Sequence, residues 1–167
     1  MKHLALVTSA AALLAAGAAG SAQAQQTFYP EGYVGGDAMF WTLDPDAGSS
    51  RDSVGLRLRA GAQVNDYFAV EGHLGTGGSD GPADLDYLVG GYAKGILPVA
   101  PEVRLYGLLG FTEVDLDSAG RENGLSYGAG GEFDVAPQLS IGADYIRYLD
   151  KSGGNFDAAS VGVRYRF

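Results

Sequence analysis

The chain has 167 residues, of which 46% are hydrophobic and 19% are charged, and its formal net charge is -9. The 27 glycines and many aromatic residues exclude a disordered chain and argue against a helical bundle, and the lack of cysteine excludes disulfides, thiolate metal sites and cysteine nucleophiles. The acidic balance argues against nucleic acid as a partner, because phosphate binding needs a basic surface.

The N-terminus has the features of an export signal. A basic start is followed by an apolar run over residues 4–19 and by the cleavage pattern Ala22-Gln23-Ala24. The apolar run is shorter than the roughly 20 residues that a membrane-spanning helix needs. We therefore predict a cleaved signal peptide at residues 1–24 and a single domain at residues 25–167. After the signal no run of 18 apolar residues occurs, which excludes an ordinary helical membrane protein.

The domain contains eight segments in which apolar and polar residues alternate with the period of two that is typical of β-strands. In residues 54–64 the even-numbered positions are apolar, whereas the odd-numbered positions hold glycine, arginine and glutamine. A helix would mix these two sets. The first segment, residues 33–43, has an ambiguous phase, because Met39 and Trp41 share a face with Asp37. The pattern predicts eight antiparallel strands.

Two kinds of connection alternate between the strands. Short turns are predicted at residues 65–66, 98–101 and 136–138, and longer polar loops at residues 44–52, 76–84, 113–123 and 149–157. An even number of antiparallel strands with short turns at one end and longer loops at the other is typical of outer-membrane barrels. The predicted fold is therefore all-β, an eight-stranded antiparallel up-and-down transmembrane β-barrel.

The aromatic residues support a membrane location. On the apolar face they form one group near the short turns and another near the longer loops, as expected for rings at the two membrane interfaces. The first group is Phe68, Phe133 and Phe167, and the second is Tyr87, Phe111, Tyr127 and Tyr145. In a soluble sandwich or lipocalin-like barrel these rings would fill the core. The opposite face should then be solvent-like, whereas here it is rich in glycine and carries few charges.

The last strand alternates Val161, Val163, Tyr165 and Phe167, and it resembles the carboxy-terminal signal that the outer-membrane barrel assembly machinery reads. With the export signal, the opening Tyr33-Val34-Gly35-Gly36 and the central Leu105-Tyr106-Gly107-Leu108-Leu109-Gly110-Phe111, the chain resembles the small OmpA/OmpX-like outer-membrane β-barrel family over essentially all of residues 25–167.

The resemblance implies a porin-like barrel in the outer membrane of a Gram-negative bacterium. Its partners would be outer-membrane lipid, lipopolysaccharide and the assembly machinery. It implies little about function. Because the sequence ends with the barrel, whereas OmpA itself carries a further peptidoglycan-binding domain, we do not expect cell-wall anchoring.

Eleven charged residues are predicted to point into the barrel. They are Arg57, Arg59, Glu71, Asp86, Lys94, Arg104, Glu132, Asp134, Asp144, Arg164 and Arg166. An eight-stranded barrel has room inside only for its own side chains, and enclosed charges are costly unless they are paired. We therefore predict a salt-bridge network that fills the lumen. The inward glycines at 55, 61, 128, 130 and 142 leave an alternative open, namely water pockets or a narrow gated path.

The four predicted loops carry most of the net charge, with eleven acidic residues against Arg51, Arg121 and Lys151. Such a rim would repel lipopolysaccharide phosphates unless divalent cations bridge them, and it would attract a basic partner. The alternative is that the loops are simply solvated. The extracellular ligand is not identified. Residues 115–120 resemble a calcium loop only faintly and lack the required ligands, so no metal or cofactor is predicted.

Outer-membrane barrel enzymes such as lipid A deacylases and palmitoyltransferases need a histidine-centred constellation, and His73 is the only histidine after the signal peptide. It shares the inner face with Glu71, and the next loop offers Ser79 and Asp80. A lone histidine among interior charges usually belongs to the polar core, so no catalytic residue is predicted. Three classes of function remain: a structural and interaction barrel, a narrow pore for ions or small solutes, and a lipid-modifying enzyme that uses His73.

Overall fold

The computed structural model describes residues 29–45, 51–77, 85–116, 120–151 and 154–167, so the predicted signal peptide lies outside the described residues. Eight β-strands form one closed barrel in which each strand pairs antiparallel with the next and the last pairs with the first. The predicted fold class is confirmed. The strands are β1 (Glu31–Pro45), β2 (Arg51–Asn65), β3 (Phe68–Gly77), β4 (Leu85–Ala100), β5 (Val103–Leu116), β6 (Gly120–Ala136), β7 (Leu139–Lys151) and β8 (Gly154–Arg166). Within the described ranges, no helix is long and apolar enough to cross a membrane.

Side chains alternate between an apolar exterior and a mostly polar interior. In β2, Leu56 and Leu58 are 67% and 64% exposed, whereas Arg57 is completely buried. The phase of β1 is settled in the same way: Asp37 is buried, and Phe40 is half exposed. Asp37 lies opposite Arg57 in the β1–β2 register, so an inward phase pairs the two charges, and an outward phase would place a carboxylate on the apolar surface.

Each of three short turns places two residues outside the strands, and together they define the short-turn end of the barrel. In the first turn the side chain of Asn65 accepts hydrogen bonds from the backbone N–H groups of Tyr67 and Phe68, at 2.8 and 2.9 Å. This Asx-type turn explains the tight reversal after β2. At the second turn β4 continues through Pro98 to Ala100, so the turn is shorter than the predicted residues 98–101.

The predicted longer loops are shorter than expected, because the strands at the opposite end continue into them. Glu113 pairs with Asn123 in the β5–β6 register, and this pairing runs on to Leu116 and Gly120. Most of the predicted loop 113–123 is therefore strand. Antiparallel pairing uses backbone groups, so a polar sequence extends a hairpin wherever the partner strand also continues.

The outer surface of the barrel is an apolar belt between two groups of aromatic rings. Phe68 and Phe133 are exposed at the short-turn end, and Phe111, Tyr127 and Tyr145 are exposed toward the opposite end. The Tyr87 hydroxyl donates to Glu113 at 2.9 Å. A closed sheet leaves no unpaired edge, and a belt of this extent is typical of a lipid-facing surface.

Replacing Leu58 by Arg would place a charge on the middle of this belt, and we expect the free energy of unfolding to fall by about 2 to 4 kcal/mol. The matched control is Val64→Arg on the same strand, at the short-turn end, where the expected cost is about 0 to 1 kcal/mol. Denaturant unfolding of the barrel refolded into lipid vesicles measures both values. A tolerated Leu58→Arg would contradict the lipid-facing assignment of this side of β2.

Candidate functional site: the filled lumen

A charged network runs through the lumen, and every strand contributes to it. Ten of the eleven predicted inward charges are described, and all ten point inward. They are Arg57, Arg59, Glu71, Lys94, Arg104, Glu132, Asp134, Asp144, Arg164 and Arg166. Asp86 lies in β4, but its side chain falls outside the described residues. Asp37, whose strand had an ambiguous phase, belongs to the network as well.

The centre of the network joins two arginines of β2 to carboxylates on either side. Asp144 on β7 accepts hydrogen bonds from Arg57 Nη2, at 2.8 and 2.9 Å to its two oxygens, and from Arg59 Nη2 at 2.6 Å. Asp37 on β1 accepts from the Nε atoms of the same arginines, at 3.0 and 2.8 Å. Because each guanidinium offers several donors in a fixed plane, one arginine can connect two strands.

Glu71 on β3 links this centre to the short-turn end. It accepts from Arg59 Nη1 at 3.1 Å and from the Tyr33 hydroxyl at 2.6 Å, and Lys94 Nζ lies 3.4 Å away. Lys94 also donates to Glu132, at 2.5 Å. The lysine therefore bridges the carboxylates of β3 and β6.

The network ends at the short-turn mouth of the lumen. Arg104 donates to both oxygens of Asp134, at 2.7 and 2.6 Å, and Arg166 donates to the same carboxylate at 2.5 Å. The exposed fraction of the side chains rises toward this mouth, from 0% at Arg57 and 3% at Lys94 to 18% at Asp134. Water therefore reaches the network from this end.

Toward the opposite end, most of the described buried side chains are apolar, a feature that the sequence reasoning missed. We call this set of buried side chains the apolar plug: Met39, Trp41, Leu88, Val114, Ile146, Tyr148, Phe156 and Ala158, each at most 1% exposed. The ring of Phe156 lies 5.4 Å from that of Trp41 and 5.8 Å from that of Tyr148. Tyr148 joins the two halves, since its hydroxyl accepts from Arg57 at 2.5 Å. The sequence signal that could have revealed the apolar plug is that Met39 and Trp41 lie on the same face of their strand as Asp37.

Large side chains fill the space beside the inward glycines. A Cβ on Gly61 would lie 2.6 Å from the Tyr33 ring, and a Cβ on Gly130 would lie 2.6 Å from the Tyr106 ring. In both cases the glycine sits directly opposite the tyrosine on the paired strand. The glycines at these two positions therefore accommodate rings, and the water pockets considered from the sequence are not found there.

His73 is part of the buried network. Its Nε2 lies 2.5 Å from Glu71 Oε1, its ring centroid is 4.3 Å from that of Tyr92, and the residue is 1% exposed. Ser79 and Asp80, the other members of the considered triad, lie outside the described residues. In the part of the chain that is described, no three histidine or carboxylate side chains form a metal-binding group.

The outward residues of β8 include the proposed assembly signal. Val161, Val163, Tyr165 and Phe167 are exposed by 52%, 50%, 46% and 37%. Near the opposite end, Arg147 on the outer face of β7 donates to both carboxylate oxygens of Asp157, at 2.8 and 3.0 Å. Unlike the central lumen pairs of Arg57 and Arg59, this pair is partly exposed.

Comparison with known proteins agrees with this architecture. A family model described as "Outer membrane protein beta-barrel domain" matches residues 9–167. No significant match is found among curated proteins.

Several solved barrels are similar in structure. Ail, the attachment invasion locus protein of Yersinia pestis, aligns with a TM-score of 0.65 and 21% identity over 84% of this chain and 100% of that chain. Neisserial surface protein A aligns with a TM-score of 0.59 and 24% identity over 81% and 97%. The N-terminal β-barrel domain of Pseudomonas aeruginosa OprF aligns with 0.60 and 17% over 81% and 97%. At these identities the likeness establishes the fold.

Replacing Asp144 by Asn removes the carboxylate that Arg57 and Arg59 share, and we expect the free energy of unfolding to fall by about 3 to 5 kcal/mol, because two buried cations lose a partner. The control, Asp157→Asn, breaks the partly exposed pair with Arg147 and should change stability little. Fluorescence of Trp41, the sole tryptophan, follows unfolding in vesicles. Equal losses in the two variants would show that the central pair has no special weight.

Proposed function

The chain belongs to the outer membrane protein β-barrel domain family and lies in the bacterial outer membrane, and we propose that it acts there as a closed, non-enzymatic barrel with a structural and interaction role. The observation that carries this proposal is the two-part filling of the lumen by the charged network and the apolar plug. A lumen occupied by its own side chains leaves two working surfaces, the lipid-facing belt and the extracellular rim. In such barrels the short turns lie on the periplasmic side, so the apolar plug lies in the extracellular half.

The filled lumen argues against a pore. An ion that entered from the periplasm would meet the paired arginines at the centre and then the apolar plug, whose members are at most 1% exposed. Crossing an apolar constriction requires loss of the hydration shell. Both layers would have to rearrange before conduction.

The position of His73 argues against an enzyme. The ring is 1% exposed and lies against Glu71 and Tyr92 inside the barrel. Around position 73, β3 is paired with β2 on one side and with β4 on the other. A lipid substrate outside the barrel therefore has no access to the ring through the wall. We assign His73 to the polar core.

The interaction role is assigned to the extracellular rim. The segments that were predicted as loops hold eleven acidic residues against three basic ones. One structure of Ail holds the heparin analogue sucrose octasulfate, a polyanion. The acidic charge balance of this chain's predicted loops favours a basic partner and disfavours a polysulfated one. Lipopolysaccharide phosphates would then require divalent cations as bridges at this rim.

The outward face of β8 fits a role in assembly. Its four alternating residues end at Phe167, whose backbone N–H donates to the carbonyl of Gly32 at 3.0 Å. The strand therefore closes the barrel against β1. We assign recognition by the barrel assembly machinery to these residues.

A planar bilayer containing the refolded barrel should show no discrete conductance steps, because the plug and the network block the lumen. Replacing Trp41 and Phe156 together by Ala removes two of the three aromatic rings of the plug, and we expect brief steps to occur. Phe40→Ala, on the neighbouring lipid-facing position, is the control and should stay silent. Reproducible steps in the wild-type barrel would overturn the closed-lumen proposal in favour of a pore.

Cells that display the barrel should retain a fluorescent polylysine in excess of cells without it, and they should not gain binding of fluorescent heparin. Replacing Asp44, Asp46 and Asp52 by Asn should reduce the polylysine excess, because part of the rim charge is removed. Glu102→Gln in a periplasmic turn is the control and should leave binding unchanged. A gain of heparin binding would contradict the assigned charge preference.

A further inference from the structure

The ion pairs of the described lumen network join six cations and five carboxylates, and the side chain of Asp86, a further predicted inward carboxylate, lies outside the described residues. The cations are Arg57, Arg59, Lys94, Arg104, Arg164 and Arg166, and the carboxylates are Asp37, Glu71, Glu132, Asp134 and Asp144. A charge enclosed in a barrel wall is costly unless a counter-charge lies beside it. The cation with the weakest carboxylate contacts is therefore informative.

That cation is Arg164. Its carboxylate contacts are the longest of any guanidinium in the network, 3.3 Å from Nε to Glu132 and 3.6 Å from Nη2 to Asp144. Nε and Nη1 have no hydrogen-bond partner, although the residue is only 2% exposed. Its hydrogen bond is to the Tyr106 hydroxyl, at 2.9 Å.

The other lumen guanidiniums are better satisfied. Arg57 and Arg59 each bind both Asp37 and Asp144. Arg104 and Arg166 bind Asp134 at 2.7 Å or less. Arg164 is therefore the lumen arginine that lacks a short carboxylate contact.

A small cavity of about 10 Å³ lies beside Arg164. Its charged lining comprises three cations, Lys94, Arg164 and Arg166, against one carboxylate, Glu132, and Gln63 and Ser140 add neutral polar groups. This volume is close to the least that holds one water-sized particle. Among common anions, a single-atom halide, which is somewhat larger than water, comes nearest to this scale.

The cavity is reached from the periplasm. Arg166 and Arg104 at the short-turn mouth have side chains that are 12% and 14% exposed, and that of Arg164 is 2% exposed. On the extracellular side the apolar plug closes the lumen. An ion that exchanges with this cavity therefore does so with the periplasmic solution.

We propose that the lumen binds one small inorganic anion, a halide such as chloride, beside Arg164 at its periplasmic end. The anion accepts hydrogen bonds from the donors of Arg164 that lack a partner, and it lies beside the lumen cation with the weakest carboxylate contacts. Chloride is then a structural ligand that stabilises the folded barrel without crossing it.

The first test compares thermal unfolding of the refolded barrel in sodium chloride and in sodium gluconate at equal ionic strength, read from the heat-dependent shift of the band on SDS gels. Because a ligand that binds only the folded state raises the midpoint, we expect a saturable rise of a few degrees in chloride. Arg164→Gln should abolish the difference, and Arg164→Lys, which retains the charge, should keep part of it. Arg147→Gln on the outer face is the control and should keep all of it.

Equal midpoints in the two salts would overturn the proposal, and so would a chloride effect that persists in Arg164→Gln. A second measurement needs no variant. Crystals of the wild-type barrel grown in sodium bromide should give an anomalous peak within hydrogen-bond distance of the Arg164 guanidinium. A cavity with ordinary water density and no anomalous signal would show that water occupies it, which would also overturn the proposal.

Discussion

The structure depends on the pairing of charged side chains inside the lumen. The outer face of the barrel is apolar, so these charges cannot lie on the membrane side of the wall. Outward positions within the belt are apolar or small, so the charged side chains of the strands are directed into a lumen about as wide as the side chains themselves. There an arginine without a carboxylate would be costly. Arg57 and Arg59, which lie two positions apart on β2, meet this constraint by binding Asp37 on one side and Asp144 on the other.

Glycine makes this dense interior possible. If every inward position carried a large side chain, the eight strands would place more side-chain volume in the lumen than a narrow barrel can hold. In the pairs Tyr33–Gly61 and Tyr106–Gly130, a tyrosine ring on one strand lies opposite a glycine, which has no side chain, on the neighbouring strand. Each ring lies over the backbone of its glycine, and its hydroxyl reaches a carboxylate: Tyr33 donates to Glu71 and Tyr106 to Asp144. Packing and charge pairing are therefore satisfied by the same residues.

The two halves of the lumen have different consequences for function. The half at the short-turn end is polar and partly exposed, and the described buried side chains of the other half are mostly apolar. Under the proposed function, a barrel closed in this way has no transport path at rest, so contacts with other molecules fall to its outer surfaces and to the mouth at the short-turn end. Similar barrels such as Ail and Neisserial surface protein A share the fold, and the fold alone does not determine a partner.

The sequence by itself determined the class of fold, the number of strands and the inward phase of seven of them, because a half-apolar strand has a period of two that needs no partner to be recognised. It also placed the charged residues inside, since their positions follow the same period. It did not determine the phase of β1, where Met39 and Trp41 lie inward beside Asp37, or the ends of the strands, where polar residues such as Glu113 and Asn123 pair through their backbones.

Only the tertiary structure decided which carboxylate meets which arginine, that the glycine positions are filled by rings, and that the described buried side chains of one half of the lumen are mostly apolar. The reason is physical. Arg57 and Asp144 are 87 residues apart in sequence and form an ion pair across the lumen. The stagger of all eight strands determines that their side chains lie at the same height in the barrel. A pattern along one strand contains no information about the height at which a distant strand places its side chains.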